Sequence, residues 1–252
     1  MKNVVVCTDP AVAGERAARA AGGALRSALG SRGTARAIFA SAPSQSRMLA
    51  ALGTDESLDW TAVQSFHMDE YLGIDMNHPQ TFGRWLEQHL PGTALATFNR
   101  IRTNGTLDEE IARYTALLRQ APIDVSCVGV GVNGHLAFNE PHETDFNDPA
   151  WMRQVRLDDT SRRQQVDDGL FPTIDDVPRS ALTLTVPALL SSRTIVCVAV
   201  GDQKADAVAA ALLAPVSPAC PASALRHHDD VTWFLDAAAA RHLPADIERV
   251  GA

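Results

Sequence analysis

Three short stretches of this 252-residue chain concentrate side chains able to do chemistry. The densest is Gly129-Val130-Gly131-Val132-Asn133-Gly134-His135-Leu136-Ala137-Phe138-Asn139-Glu140-Pro141. Histidine titrates nearest neutrality of any side chain, and Glu140 in the same loop is close enough to orient or charge-stabilise the His135 ring. Asn133 and Asn139 exchange no proton, so they can only orient or hydrogen-bond. The second stretch is Phe66-His67-Met68-Asp69-Glu70-Tyr71. Neighbouring side chains on an extended backbone point to opposite sides, so at most one of Asp69 and Glu70 faces a given cleft. Asp69, turned inward, is a candidate general base, its pKa raised by partial burial. The third stretch is Ala40-Ser41-Ala42-Pro43-Ser44-Gln45-Ser46, small and polar, with a helix expected to begin at Ser44. Arg162, Arg163 and Lys204 are the basic candidates. Lys204 opens a helix, where backbone N–H groups favour anions. An arginine, a lysine and the helix start at Ser44 together suit a single phosphate group.

Two motifs are set aside. Gly129 to Gly134 matches G-x-G-x-x-G, but dinucleotide binding needs a long helix directly after the glycines, and Pro141 and Pro149 leave room for a turn or two. These glycines, Gly131 among them, are read instead as letting backbone approach a small ligand. His227-His228 beside Asp229-Asp230 is not read as a metal site, because adjacent residues chelate poorly together. No metal is expected.

The elements that must position these groups alternate between strand and helix. Strands are expected over 4–7, 35–40, 63–68, 125–130, 194–200 and 231–235, with a short one at Ile101. Helices are expected over 12–29, 44–52, 81–90, 108–120 and 204–213, and 141–149 is a polar excursion or lid. Near-continuous apolar strands imply a parallel sheet covered on both faces. The fold class is therefore α/β: a single-domain, modified doubly wound, Rossmann-like and mostly parallel sheet over residues 1–252. Ligands bind at the carboxyl ends of strands in such sheets, which is where all three stretches fall.

Composition narrows the partners. Lys+Arg 22 against Asp+Glu 30 gives a net charge of −8, which repels phosphate backbones and excludes bulk nucleic-acid binding. A phosphorylated ligand would need a local basic pocket within that negative field. Cys7, Cys127 and Cys197 lie in apolar runs and, with Cys220, form no C-x-x-C pair, so reduced thiols and a cytoplasmic setting are expected. The N-terminal apolar run is too short for a signal peptide, and no stretch approaches the ~18 apolar residues of a membrane span.

The residues from Phe66 to Gly73 and from Gly129 to Pro141 resemble the two signature segments of the glucosamine-6-phosphate deaminase (isomerase) family, related in fold to 6-phosphogluconolactonases. The likeness continues through Asp175 to Pro178, Ala181 to Thr185 and Gly201 to Ala205, and covers roughly residues 35 to 235. It implies aldose–ketose isomerisation of an amino-sugar 6-phosphate with loss of ammonia. By that resemblance, Asp69 moves the proton between C2 and C1, His135 opens the pyranose ring, and Glu140 holds its orientation and charge. Arg162 and Lys204 grip the phosphate, with Ser41, Ala42, Pro43, Ser44 and Gln45 completing its cradle. No cofactor is implied, the partner is a small sugar phosphate, and homo-oligomerisation is left open.

Three departures from the family accompany it. Asn133 stands where many members carry Asp, so ring opening rests on His135 with Glu140. The phosphate loop lacks the usual Thr-Gly-Gly or Gly-Ser, which bears on the identity of the sugar. Residues 141–149 do not match the segment that holds an allosteric amino-sugar phosphate in hexameric relatives, so no such activation is expected. The alternatives are a 6-phosphogluconolactonase-like hydrolase and a sugar-phosphate-sensing binding protein. The first is disfavoured by Leu136-Ala137-Phe138 after His135, the second by the strand-first start and the negative charge.

Overall fold

The computed structural model describes residues 3–245, and there the apolar runs form the parallel sheet their composition implies. Strands β1 (Val4–Cys7), β2 (Ala35–Phe39) and β3 (Val63–His67) join β5 (Phe98–Asn99), β6 (Val125–Val128), β9 (Thr194–Ala199) and β10 (Val231–Asp236). Their order across the sheet is β1-β10-β9-β6-β2-β3-β5, and every pairing is parallel. All residues of β2 and of β6 are buried, as strands covered on both faces must be.

Helices cover the two faces. Helix α1 (Pro10–Arg32) starts where the Asp9 carboxylate accepts the N–H groups of Ala11 and Val12, and stops at Gly33, whose φ of 75° only glycine adopts freely. With α2 (Ser46–Gly53) and α3 (Phe82–His89) it closes one face over Leu25, Phe39 and Leu49. The opposite face packs Ile38, Tyr114, Leu189 and Val208 beneath α4 (Leu107–Leu118), α6 (Val186–Leu190) and α7 (Ala205–Leu213). Ile38 and Phe39, consecutive in β2, fall on opposite faces, as the pleat requires.

A second, three-stranded antiparallel sheet was not expected. It runs β4 (Asp69–Tyr71), β8 (Ser180–Leu184), β7 (Met152–Arg156), with α5 (Asp159–Asp167) following β7. The run over 63–68 therefore does not continue as one strand. The chain leaves the main sheet after His67, the Leu184 N–H donates to the Met68 carbonyl at 2.7 Å, and Asp69 already pairs with Thr183. Polar β7 and α5 carry no clean apolar period, which is why neither is legible in sequence.

Smaller corrections have local causes. Ser44 does not cap a helix with its side chain; Pro43–Gln45 form a 3₁₀ turn and α2 begins at Ser46. The strand expected at Ile101 lies at Phe98–Asn99, and Ile101 instead donates its N–H to His67 Nε2 at 2.7 Å. The excursion over 141–149 is tied down by Thr144 to the Glu140 carbonyl and by the Arg153–Asp148 pair. All four cysteines are free thiols, and burial pushes Cys127 up to about 12. Among the described residues no helix is long and apolar enough to cross a membrane.

Leu25 is fully buried between α1 and the sheet, whereas Leu213 is 45% exposed. Leu25→Ala is expected to lower unfolding free energy by about 2–5 kcal/mol, and Leu213→Ala by less than about 0.5 kcal/mol, read from urea denaturation midpoints.

Candidate active site

A cavity of about 340 Å³ opens at the carboxyl ends of the central strands, a size suited to a small ligand. Its walls bring together Ser41, Ala42, Pro43 and Ser44 after β2, Asp69 after β3, Gly131 and His135 after β6, and Lys204 after β9. Four strand exits distant in sequence meet there because β9, β6, β2 and β3 are consecutive in the sheet.

Asp69 and Glu70 divide as an extended backbone demands. Asp69 lines the cavity, while the Glu70 carboxylate points away and accepts three backbone N–H groups, from Tyr71, Phe82 and Gly83, at 3.0, 3.0 and 2.9 Å. The last two open α3, so Glu70 caps that helix from another strand. Burial pushes Glu70 up to about 7 against the pull of those N–H groups. Burial, and then the Glu70 charge, hold Asp69 well above the usual carboxylate range.

His135 sits in a loop folded back on itself. Its carbonyl accepts the Gly131 N–H at 3.0 Å, and a Cβ on Gly131 would collide with the imidazole, so glycine is required there. At Gly134, φ is +84° and a Cβ would meet Cys220 Sγ at 2.7 Å. Asn139 is a clamp: its Nδ2 donates to the carbonyls of Leu136 and Leu184 at 2.7 and 2.8 Å, bracing Ala137 at φ 53°. Behind the ring, Asn133 donates to Glu140 Oε2 at 2.9 Å and to Asp158 at 3.0 Å, while its Oδ1 accepts the His135 N–H. His135 Nδ1 is 2.9 Å from the Ser161 hydroxyl and 3.7 Å from Glu140. Burial, and then the Lys204 charge, lower His135 to about 3, so the ring is neutral at neutral pH. Burial raises Glu140 to about 7.

The basic end differs from expectation. Arg162 is buried away from the cavity, its guanidinium committed to the carbonyls of Ile174 and Val177 and to Asp159. It holds the segment after α5, since its position one turn into that helix points it backward. Gln45 likewise lies beneath the loop, its amide directed to the carbonyls of Val128 and Val198. Lys204 is the one cation among the described cavity-lining residues, and Asp168 joins it there. Burial lowers Lys204 to about 8, and the Asp168 carboxylate opposes that fall. The 3₁₀ turns at Pro43–Gln45 and Asp202–Lys204 start against the same cavity.

Sequence reasoning missed Gln164, Gln165 and Asp168 on the cavity wall and Ser161 behind it. The available signal was Asp158, a helix-capping residue whose carboxylate accepts the Ser161 N–H. No group of His, Cys, Asp and Glu able to hold a metal ion occurs among the described residues.

Comparison with known proteins gives this arrangement a context. The family model described as glucosamine-6-phosphate isomerases/6-phosphogluconolactonase matches residues 8–233. The glucosamine-6-phosphate deaminase of Streptococcus agalactiae serotype III (strain NEM316) is 36% identical over 190 residues, 74% of this chain and 79% of that protein. The corresponding protein of Rhodopirellula baltica is 37% identical over 190 residues, 73% of each. Among solved structures, a monomeric glucosamine-6-phosphate deaminase superposes with a TM-score of 0.86 at 28% identity, over 95% of this chain and 99% of that one. A 6-phosphogluconolactonase from Trypanosoma brucei shares the fold, with a TM-score of 0.80 at 16% identity over 97% and 99%.

Removing the Glu70 carboxylate leaves buried N–H groups of α3 without an acceptor. Glu70→Ala is expected to destabilise by about 2 kcal/mol, measured by thermal or denaturant unfolding, and Glu70→Gln by less because one acceptor oxygen survives.

Proposed function

The chain belongs to the glucosamine-6-phosphate isomerase/6-phosphogluconolactonase family, and from that membership we propose that it converts an amino-sugar 6-phosphate, glucosamine 6-phosphate foremost, to fructose 6-phosphate and ammonia. The observation that carries this reading is Asp69: a buried carboxylate, turned into the cavity and held at high proton affinity, faces the same space as a neutral imidazole. Isomerisation next to a carbonyl needs such a pair and little else.

The steps balance without an outside oxidant or reductant. His135 accepts the proton of the anomeric hydroxyl and returns one to the ring oxygen as the C1–O bond opens, giving the aldehyde. Asp69 takes the proton from C2 while the aldehyde oxygen takes one from the substrate's ammonium group, leaving an enolamine, and Asp69 then delivers its proton to C1. The C2 iminium that results adds water and expels ammonia, and the product is the 2-ketose. A raised pKa makes Asp69 a stronger base once ionised, which favours carbon-proton abstraction.

Phosphate recognition rests on Lys204 and the backbone N–H groups of the two 3₁₀ starts rather than on an arginine fork. The Asp168 carboxylate on the same wall favours the charged form of Lys204, so the ligand's phosphate shares that cation with a carboxylate. The fit of the substrate then depends on the sugar as well as on its charge.

A coupled ammonia assay over the 6-phosphates of glucosamine, galactosamine and their N-acetyl forms tests the reaction. Ammonia from a free amino-sugar phosphate supports it; hydrolysis of 6-phosphogluconolactone with no ammonia overturns it. Asp69→Asn is expected to lower kcat by at least about 10²–10⁴-fold while substrate still binds. As pH rises through about 8, Lys204 loses its proton, so kcat/KM falls on the alkaline side. Lys204→Arg, which stays charged, is expected to shift that limb to higher pH.

A further inference from the structure

The loop that carries His135 is shaped from within and held from outside. Inside it, the N–H groups of Gly131 and Gly134 donate to the carbonyls of His135 and Gly131, and the His135 N–H donates to Asn133 Oδ1, all at 3.0 Å. Outside it, the Gly134 carbonyl accepts the Ala222 N–H at 2.9 Å. Helix α5 supplies two more ties. The Val132 N–H donates to Gln164 Oε1, and Asn133 Nδ2 donates to the Asp158 carboxylate, each at 3.0 Å. Asp158 caps that helix, and Gln164 stands in its second turn.

Backbone donors decide the direction of both ties. A peptide N–H cannot accept, so the Gln164 atom facing Val132 is the amide oxygen. In the same way the His135 N–H fixes Oδ1 of Asn133 and leaves Nδ2 for Asp158. Gln164 Nε2 is then the atom 3.4 Å from Asp168 Oδ2, so the half-buried amide reaches from the loop toward a carboxylate on the cavity wall. The peptide that Gln164 holds joins Gly131 to Val132. A Cβ on Gly131 would collide with Cε1, Nδ1 and Nε2 of His135, so the backbone there is the surface against which the imidazole lies.

We propose that Gln164 is a positioning residue for His135, its amide oxygen fixing the Gly131–Val132 peptide that backs the imidazole. Misplacing a reacting group by about 1 Å costs on the order of 10²-fold in rate, so a brace on the peptide behind the ring bears on turnover. This inference rests on the catalytic role given to His135 above. It makes α5 the splint of the catalytic loop, gripping it at the helix cap through Asp158 and in the second turn through Gln164.

Kinetics and amide exchange together test it. In the deaminase assay, Gln164→Leu is expected to lower kcat about 10- to 100-fold with KM changed less than about twofold. Gln164→Glu, which keeps an acceptor for the Val132 N–H, recovers most of that kcat. In a His135→Ala background, Gln164→Leu costs less than about twofold further, because it acts through the imidazole. By hydrogen-exchange NMR, the Val132 amide is protected in the unmodified protein and exchanges at least about tenfold faster in Gln164→Leu. Val132 is half-buried, so that protection reports the hydrogen bond. Wild-type kcat in Gln164→Leu overturns the proposal, and so does a raised KM at unchanged kcat, which would make Gln164 a ligand-binding residue. An undiminished cost in the His135→Ala background overturns it too, as the mark of a general structural role. Should Gln164→Leu not fold, the Val132 amide and Gln164→Glu decide the matter. A protected amide with kcat kept within about tenfold upholds the brace, and an unprotected amide or a larger loss of kcat overturns it. Absence of ammonia release by the unmodified protein defeats the proposed reaction instead, and exchange at Val132 still reads the tie to Gln164.

Discussion

The cleft depends on how the chain manages the break between β3 and β4. At His67 the backbone leaves a seven-stranded sheet, and two residues later it has joined another. Backbone polar groups exposed by such a break must find partners or cost free energy. Tyr114 satisfies both polar groups of His67, donating its hydroxyl proton to the carbonyl at 2.8 Å and accepting the N–H at 3.0 Å. Leu184 takes the Met68 carbonyl, and Glu70 ties the far side of the break to the start of α3. With the backbone pinned on both sides of it, Asp69 has one direction available, and that direction is the cavity.

The same burial that pins these groups sets their proton affinities. Asp69 and Glu140 are raised, and His135 and Lys204 are lowered, each chiefly because a charged form is disfavoured away from water. Candidate acid–base groups are thereby brought toward neutral forms that exchange protons readily with a substrate. Lys204 shows how an acidic chain can carry a local positive site: the net charge of −8 belongs to the whole sequence, while Lys204 is the one cation among the described residues of the cavity wall. The conflict between global and local charge is resolved by geometry, with Asp168 favouring the charged form of that cation.

Much of this was legible in the residues. Apolar runs at Val125–Val128 and Thr194–Ala199 read directly as central parallel strands, because burial on both faces leaves no polar alternation. The polar and glycine-rich strand exits marked the ligand end, and the alternation rule for extended backbone separated Asp69 from Glu70. What stayed hidden lies on elements without apolar period. Helix α5, whose residues are mostly polar, supplies Gln164 and Gln165 to the cavity wall and Ser161 to His135, and Asp168 just beyond its end joins them on the wall. Arg162 on that helix was expected to grip the phosphate because the family resemblance placed it there. Its direction was set by helical phase, which carries its guanidinium to the carbonyls of Ile174 and Val177.

By itself, then, the sequence determined the sheet, the end of it at which chemistry occurs, and the residue types available there. Those follow from local hydrophobic pattern and from the position of polar residues relative to strand ends, which are properties of short segments. Only the tertiary structure decided which of those groups share a cavity and which serve as braces. Hydrogen-bond partners such as Ser161 for His135, or the α3 N–H groups for Glu70, come from other elements. Their approach depends on packing between a main sheet and a second one that no local pattern announced.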